Sequence, residues 1–148
     1  MKFAFAWSIA AVALASCGPF PADPRGTLER VRSERSYRVG LIAPADRSMP
    51  EAGRLLRRVS AATGASPRVQ TGDAEPLLKR LEEGELDLVV GRFDAKSPWK
   101  LQVSFGPALR REKQGKTRLQ LLPAMRNGEN AWISLVERAA RDARESGR

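Results

Sequence analysis

Chemistry in this chain rests on few side-chain types. There is no histidine, and the one cysteine is Cys17. A Ser–His or Cys–His nucleophile is thereby excluded, as is a zinc site of ordinary Cys/His composition. No Gly-x-Ser-x-Gly elbow and no phosphate-binding glycine loop is present. What remains is a set of carboxylates, arginines and serines that follow apolar runs: Asp46, Arg47, Ser48, Asp73, Arg92, Asp94 and Ser97. Arg47 and Arg92 suit bidentate hydrogen bonding to a carboxylate, aided by N–H donors of the helix expected to start at Ser48. Brought together, Asp46, Asp73 and Asp94 would form the paired acids of a hydrolase. Helix capping and turn solvation account for the same three residues without any chemistry, and that reading is preferred. The set therefore suggests a non-catalytic site for a small anionic solute, with no metal and no cofactor.

For these groups to act together they must sit at the carboxyl ends of parallel strands, where open α/β sheets place ligands. The stretch 83–107 carries the pattern: an apolar strand over 86–90, a break at Gly91, a polar loop, Trp99, then an alternating strand over 101–105. Trp99 is expected to pack beneath its loop. Upstream, Thr27 would cap a short helix over 27–34, followed by a strand over 37–42. Ser48-Met49-Pro50-Glu51 has capping-box spacing, and Ala52, Leu55, Leu56, Val59 and Ala62 form one stripe before a stop at Gly64. A short strand over 68–71 leads to a helix capped by Asp73, carrying Leu77, Leu78 and Leu81, and ended by Gly84. Downstream, 108–118 places Arg110, Arg111, Lys113, Lys116 and Arg118 around Gly115 with only Glu112 opposing them. It reads as an exposed hairpin-like turn, either simply solvated or a patch for anionic headgroups or an acidic partner. A short strand over 119–122 stops at Pro123. The last helix begins at Asn127, has Glu129 in its first turn, and buries Trp132, Leu135, Val136, Ala139, Ala140 and Ala143. The β-α-β-α-β order predicts a three-layer α/β domain with a mostly parallel sheet and one antiparallel strand pair, 101–106 with 118–122.

The 148 residues suffice for one domain. Lys and Arg number 26 against 17 Asp and Glu, a formal charge of +9. Such a balance raises nucleic acid as a partner, but the amino terminus argues against it. Lys2 precedes an apolar run over 3–15 that is short for a bilayer span and is followed by small residues, so 1–16 reads as a signal peptide. Leu14-Ala15-Ser16-Cys17 matches the bacterial lipobox, which makes Cys17 the expected lipidation site. Several acyl chains, at roughly 0.8 kcal/mol per buried methylene, would hold the chain on the membrane. Gly18 follows Cys17, and by analogy with enterobacterial sorting this points to the outer membrane, facing the periplasm. Residues 17–26, with three prolines and two glycines, read as a tether, leaving 27–148 as the domain.

Taken in order, the segments resemble the solute-binding proteins of bacterial ABC transporters, in the branch that binds amino acids and similar small solutes (family 3-like). Thr27-Leu28-Glu29-Arg30-Val31-Arg32 followed by Tyr37-Arg38-Val39-Gly40 looks like that family's mature start. Gly84-Glu85-Leu86-Asp87 is similar to its helix-to-strand junction. Trp99 with Val103-Ser104-Phe105-Gly106-Pro107 resembles the strand that leads into its hinge. Gly128-Glu129-Asn130-Ala131-Trp132 resembles the start of the closing helix of some members. Those proteins trap ligand between two lobes. Here the chain passes from Pro107 through the basic turn to Leu119 with no room for a second lobe. Ala43-Pro44-Ala45-Asp46-Arg47 also replaces the aromatic-rich segment that usually follows the first strand. The resemblance implies one lobe of a periplasmic binding protein, membrane-anchored, binding a small anionic or amino-acid-like solute in connection with ABC transport. The alternative is an envelope interaction or structural protein whose cleft face is covered by a protein partner or a second copy.

Overall fold

A computed structural model describes residues 23–43, 49–94 and 96–147. Its elements are α1 (Thr27–Glu34), β1 (Ser36–Ile42), α2 (Pro50–Thr63), β2 (Ser66–Gly72), α3 (Ala74–Glu83), β3 (Leu88–Asp94), a 3-10 turn (Pro98–Leu101), β4 (Val103–Phe105), β5 (Arg110–Gln114), β6 (Thr117–Arg126) and α4 (Asn130–Glu145). One sheet runs in the order β2-β1-β3-β6-β4, with β5 also paired to β6. β1 is parallel to both β2 and β3, and β6 is antiparallel to β3, β4 and β5.

Alternation along the strands splits the core into two layers. Tyr37, Val39, Leu88, Val90, Leu121 and Met125 meet Leu55 and Val59 of α2 and Trp132, Val136 and Ala140 of α4 on one face. Val89, Phe93, Leu122 and Ala124 meet Leu77, Leu78 and Leu81 of α3 on the other. This is the predicted three-layer α/β arrangement.

Several local expectations are corrected. Gly91 does not break β3. It lies inside the strand because Ile42 of β1 occupies the space of a side chain there, with Ile42 Cδ1 only 2.5 Å from an ideal Cβ position. The strand expected to stop at Pro123 also continues, to Arg126. The Pro123 carbonyl accepts the Gly106 N–H at 2.9 Å. The proline nitrogen lies on that same edge of the strand, facing the gap between β4 and β5, where its missing N–H costs no ladder bond. The antiparallel partner of β4 is accordingly 124–126, while 119–124 pairs with β3 and 117–121 with β5. The basic stretch is thus a true hairpin, turning at Gly115 with φ +59°.

Helix starts are corrected too. Gly26, not Thr27, caps α1, and α4 begins at Asn130 after Glu129. Met49 occupies the cap position of α2 and contributes no side-chain bond, while Ser48 lies outside the described residues. Residues 23–26, read from composition as the end of a tether, are bonded to the domain: Asp23 accepts N–H groups from Leu28, Ala131 and Trp132.

Candidate functional site

The carboxyl ends of β2, β1 and β3 form one edge of the sheet. β1 and β2 leave it together, since the Ala43 N–H donates to the Gly72 carbonyl at 2.9 Å. Asp73 follows β2 at the cap position of α3, and its carboxylate makes no capping bond. Its charge stays available at the helix amino terminus, which favours it there. Asp94 ends β3, and its Oδ1 accepts the Lys96 N–H at 2.7 Å while its carbonyl accepts the Ser97 N–H at 3.0 Å. Ser97 in turn opens the 3-10 turn. Asp73, Asp94 and Ser97 therefore share the edge. β1 intervenes between the strands that carry the two aspartates, two strand spacings or about 9–10 Å apart, and by register Asp94 lies two residues further along than Asp73. Asp46, Arg47 and Ser48, and Cys17 with them, lie outside the described residues.

Arg92 departs from the expectation. It alternates with Phe93, so it faces α2 while Phe93 packs against Phe105, ring centroids 4.7 Å apart, on the α3 face. There Arg92 joins a cluster that the sequence did not suggest. Its Nε lies 3.5 Å from Glu112 Oε2, Arg110 pairs closely with Glu112, and Glu51 Oε1 sits 3.6 Å from Arg110 and 3.8 Å from Arg54. Three arginines and two glutamates are thus partly buried between the first turn of α2 and the hairpin. Glu51 Oε2, Arg92 Nε and Arg110 Nε are buried without a hydrogen-bond partner among the described residues. Arg110 and Glu112, spaced by two on one strand, carried the signal. Hydropathy hides it, because the inward positions are charged.

The most motif-like residue, Asp87, lies at the opposite, amino edge. It is 4% exposed and accepts the Arg38 N–H at 2.8 Å, Arg38 Nε at 3.1 Å and Nη2 at 2.8 Å, with Arg30 closing on the same carboxylate. That pairing pushes the Arg38 guanidinium up from its ordinary value, against a smaller opposing effect of burial. The Asp87 carbonyl also accepts Trp132 Nε1–H at 2.7 Å. Its role is to lock α1, β1 and α4 to β3. Trp99 packs on the α3-side core, as expected, and Trp132 is fully buried.

Solved structures share this arrangement. The arginine-bound form of domain 1 from TmArgBP of T. maritima matches with a TM-score of 0.64 at 15% identity, covering 76% of this chain and 97% of that one. The chain has the fold of one lobe of a periplasmic binding protein. An ancestral cationic amino acid solute binding protein, AncCDT-1, matches this lobe with a TM-score of 0.66 at 10% identity, over 82% of this chain and 95% of that one. It is also described as a precursor of cyclohexadienyl dehydratase. The VFT2 domain of Bordetella pertussis BvgS matches at 0.61 and 12% identity, over 86% of this chain and all of that one. Neither a family model nor a curated protein sequence matches the chain. In this lobe the strand that runs antiparallel beside β3 is reached through the β5–β6 hairpin, with two residues, Gly115 and Lys116, between the paired ends.

Proposed function

We propose that this chain is a single-lobe solute-binding protein of the bacterial envelope. It takes an amino-acid-like solute at the carboxyl edge of β1, β2 and β3 and is held on the membrane, facing the periplasm, by lipid on Cys17. The observation that carries the reading is that an isolated domain of this fold, domain 1 from TmArgBP, is described with arginine bound. Asp73 and Asp94 offer carboxylates to the cationic groups of such a solute, and Arg47 offers a guanidinium to its carboxylate. Delivery to an ABC permease is the corresponding physiological role.

Thermal unfolding of the full-length chain in detergent, with amino acids and organic acids screened at millimolar concentration, tests the solute. A ligand at a hundred times its Kd stabilises by about 2.7 kcal/mol, which is readily visible. No stabilisation by any of them would sink the solute reading. Incorporation of labelled palmitate into the wild type but not into Cys17→Ser tests the anchor.

A further inference from the structure

The β5–β6 hairpin carries charge that takes no part in the ion pairs among the described residues. Its one acid, Glu112, turns to the α2 face and is taken by Arg92 and Arg110. On the other face and at the tip, Arg111, Lys113, Lys116 and Arg118 are solvent-facing and make no ion pair among the described residues. Lys113 and Arg118 are direct cross-strand partners, and Arg111 faces Gln120. Like charges in direct opposition destabilise a strand pair. Warding off stray edge pairing would be served by a lysine or two without that placement. Arg111, Lys113, Arg118 and Gln120, with Glu112 and Leu119, line an open groove of about 340 Å³. Among the described residues β5 pairs only with β6, so its outer edge presents backbone donors and acceptors that no described strand takes.

Position selects the occupant. The amino-terminal segment joins the domain beside Arg126, where Glu129 accepts the N–H groups of Arg25 and Thr27. The hairpin tip lies at the other end of β6, about 30 Å away at the strand rise. A membrane reached through the amino terminus would lie at the far end from the tip. The tip does adjoin the solute edge, since Asp94 pairs with Leu119.

We propose that the outer edge of β5 and the basic face of the hairpin dock an acidic, extended segment of a protein partner. The segment adds a strand along Arg110–Gln114 and places alternate carboxylates on Arg111, Lys113 and Arg118. This surface requires no solute and stands or falls apart from the solute reading.

The test uses the full-length chain in nanodiscs of zwitterionic lipid and a fluorescent peptide alternating Glu and Val. Binding is expected in the micromolar to millimolar range, about −8 to −4 kcal/mol. Raising ionic strength from about 0.05 to 0.5 M should weaken it severalfold, as screening shortens the reach of exposed charges. Reversing the charges in Arg111→Glu/Lys113→Glu/Arg118→Glu should weaken it about tenfold or more. The Arg111–Gln114 amides should shift in NMR spectra. A second variant, Lys113→Gln/Arg118→Gln, removes charge without reversing it and, by relieving the opposed like charges, is expected to equal or exceed the wild type in thermal stability while binding more weakly. The proposal is overturned by no binding at low salt, by binding that survives charge reversal, or by binding abolished when the nanodiscs contain anionic lipid. The last outcome would assign the hairpin to headgroups.

Discussion

Asp23 and Glu129 hold two helix amino termini against each other. Asp23 Oδ1 accepts the N–H groups of Ala131 and Trp132 at 2.7 and 3.0 Å, and its Oδ2 accepts that of Leu28 at 2.8 Å. Glu129, 2% exposed, accepts Arg25 N–H at 3.0 Å and Thr27 N–H at 3.1 Å. The positive ends of α1 and α4 thus converge, and two carboxylates compensate them.

Removing the Glu129 charge should therefore be costly and pH-dependent. Burial alone would raise this carboxyl, but hydrogen bonds from the Thr27 side chain and from the N–H groups of Thr27 and Arg25, with the charge of Arg126, hold it below its ordinary 4.5. A depressed folded-state value adds stability that is fully present above about pH 4.5 and is lost as pH falls through the folded value. Glu129→Gln is expected to lose about 1.5–3 kcal/mol at neutral pH. Thermal unfolding followed from pH 7 to pH 3 should show the gap to wild type narrowing below about 4.5. A gap constant across that range would contradict the account.

At the amino edge, the buried Asp87 carboxylate gathers Arg30 and Arg38. Asp87→Ala leaves the Arg38 guanidinium and N–H without this carboxylate and Arg30 with Glu34 alone, and a loss of about 3 kcal/mol is expected. Arg38→Ala should cost less, because Arg30 still reaches the carboxylate and the Arg38 side chain is 38% exposed. Denaturant midpoints of the two variants would reverse this order if Arg38, not Asp87, were the residue holding the junction.

Gly91 tests how β3 and β1 pack. Ile42 Cδ1, Cβ and Cγ1 lie 2.5, 2.7 and 2.8 Å from an ideal Cβ at position 91. Gly91→Ala should destabilise by about 1–3 kcal/mol through overpacking. Ile42→Val removes only the most distal of these atoms, so in a double-mutant cycle it should restore part of the loss. Full restoration, or a neutral Gly91→Ala, would mean that the strand is not held this closely.

What the sequence revealed and what it hid have physical causes. The first three strands and their crossover helices were legible because Leu55, Val59, Leu77, Leu78 and Leu81 recur at helical spacing between apolar runs. Gly91 and Pro123 read as breakers because what keeps each inside its strand is remote in sequence: Ile42 fills the side-chain space at Gly91, and the Pro123 nitrogen faces the gap between β4 and β5. The Asp23–Glu129 exchange spans 106 positions (129 − 23) and leaves no local trace. Asp73, Asp94 and Ser97 lie at the carboxyl ends of β2 and β3, where their positions after apolar runs put them. Arg92 does not face that edge, since its face depends on β3 continuing through Gly91.

That difference yields a test of the solute edge. Asp94→Asn keeps an acceptor for the Lys96 N–H, and Asp73→Asn disturbs no capping bond, so each removes charge while leaving the fold in place. If a cationic amino group seats between these two residues, either change should weaken affinity for the solute found by thermal shift by about five- to thirtyfold, the equivalent of about 1–2 kcal/mol. Arg92→Ala should lower thermal stability, because Glu112 loses a partner, yet leave affinity unchanged, because Arg92 faces α2 and not the edge. Calorimetric titration separates the two effects. Loss of affinity on Arg92→Ala with none on the aspartate variants would move the solute from the open edge to the charged cluster beneath the hairpin.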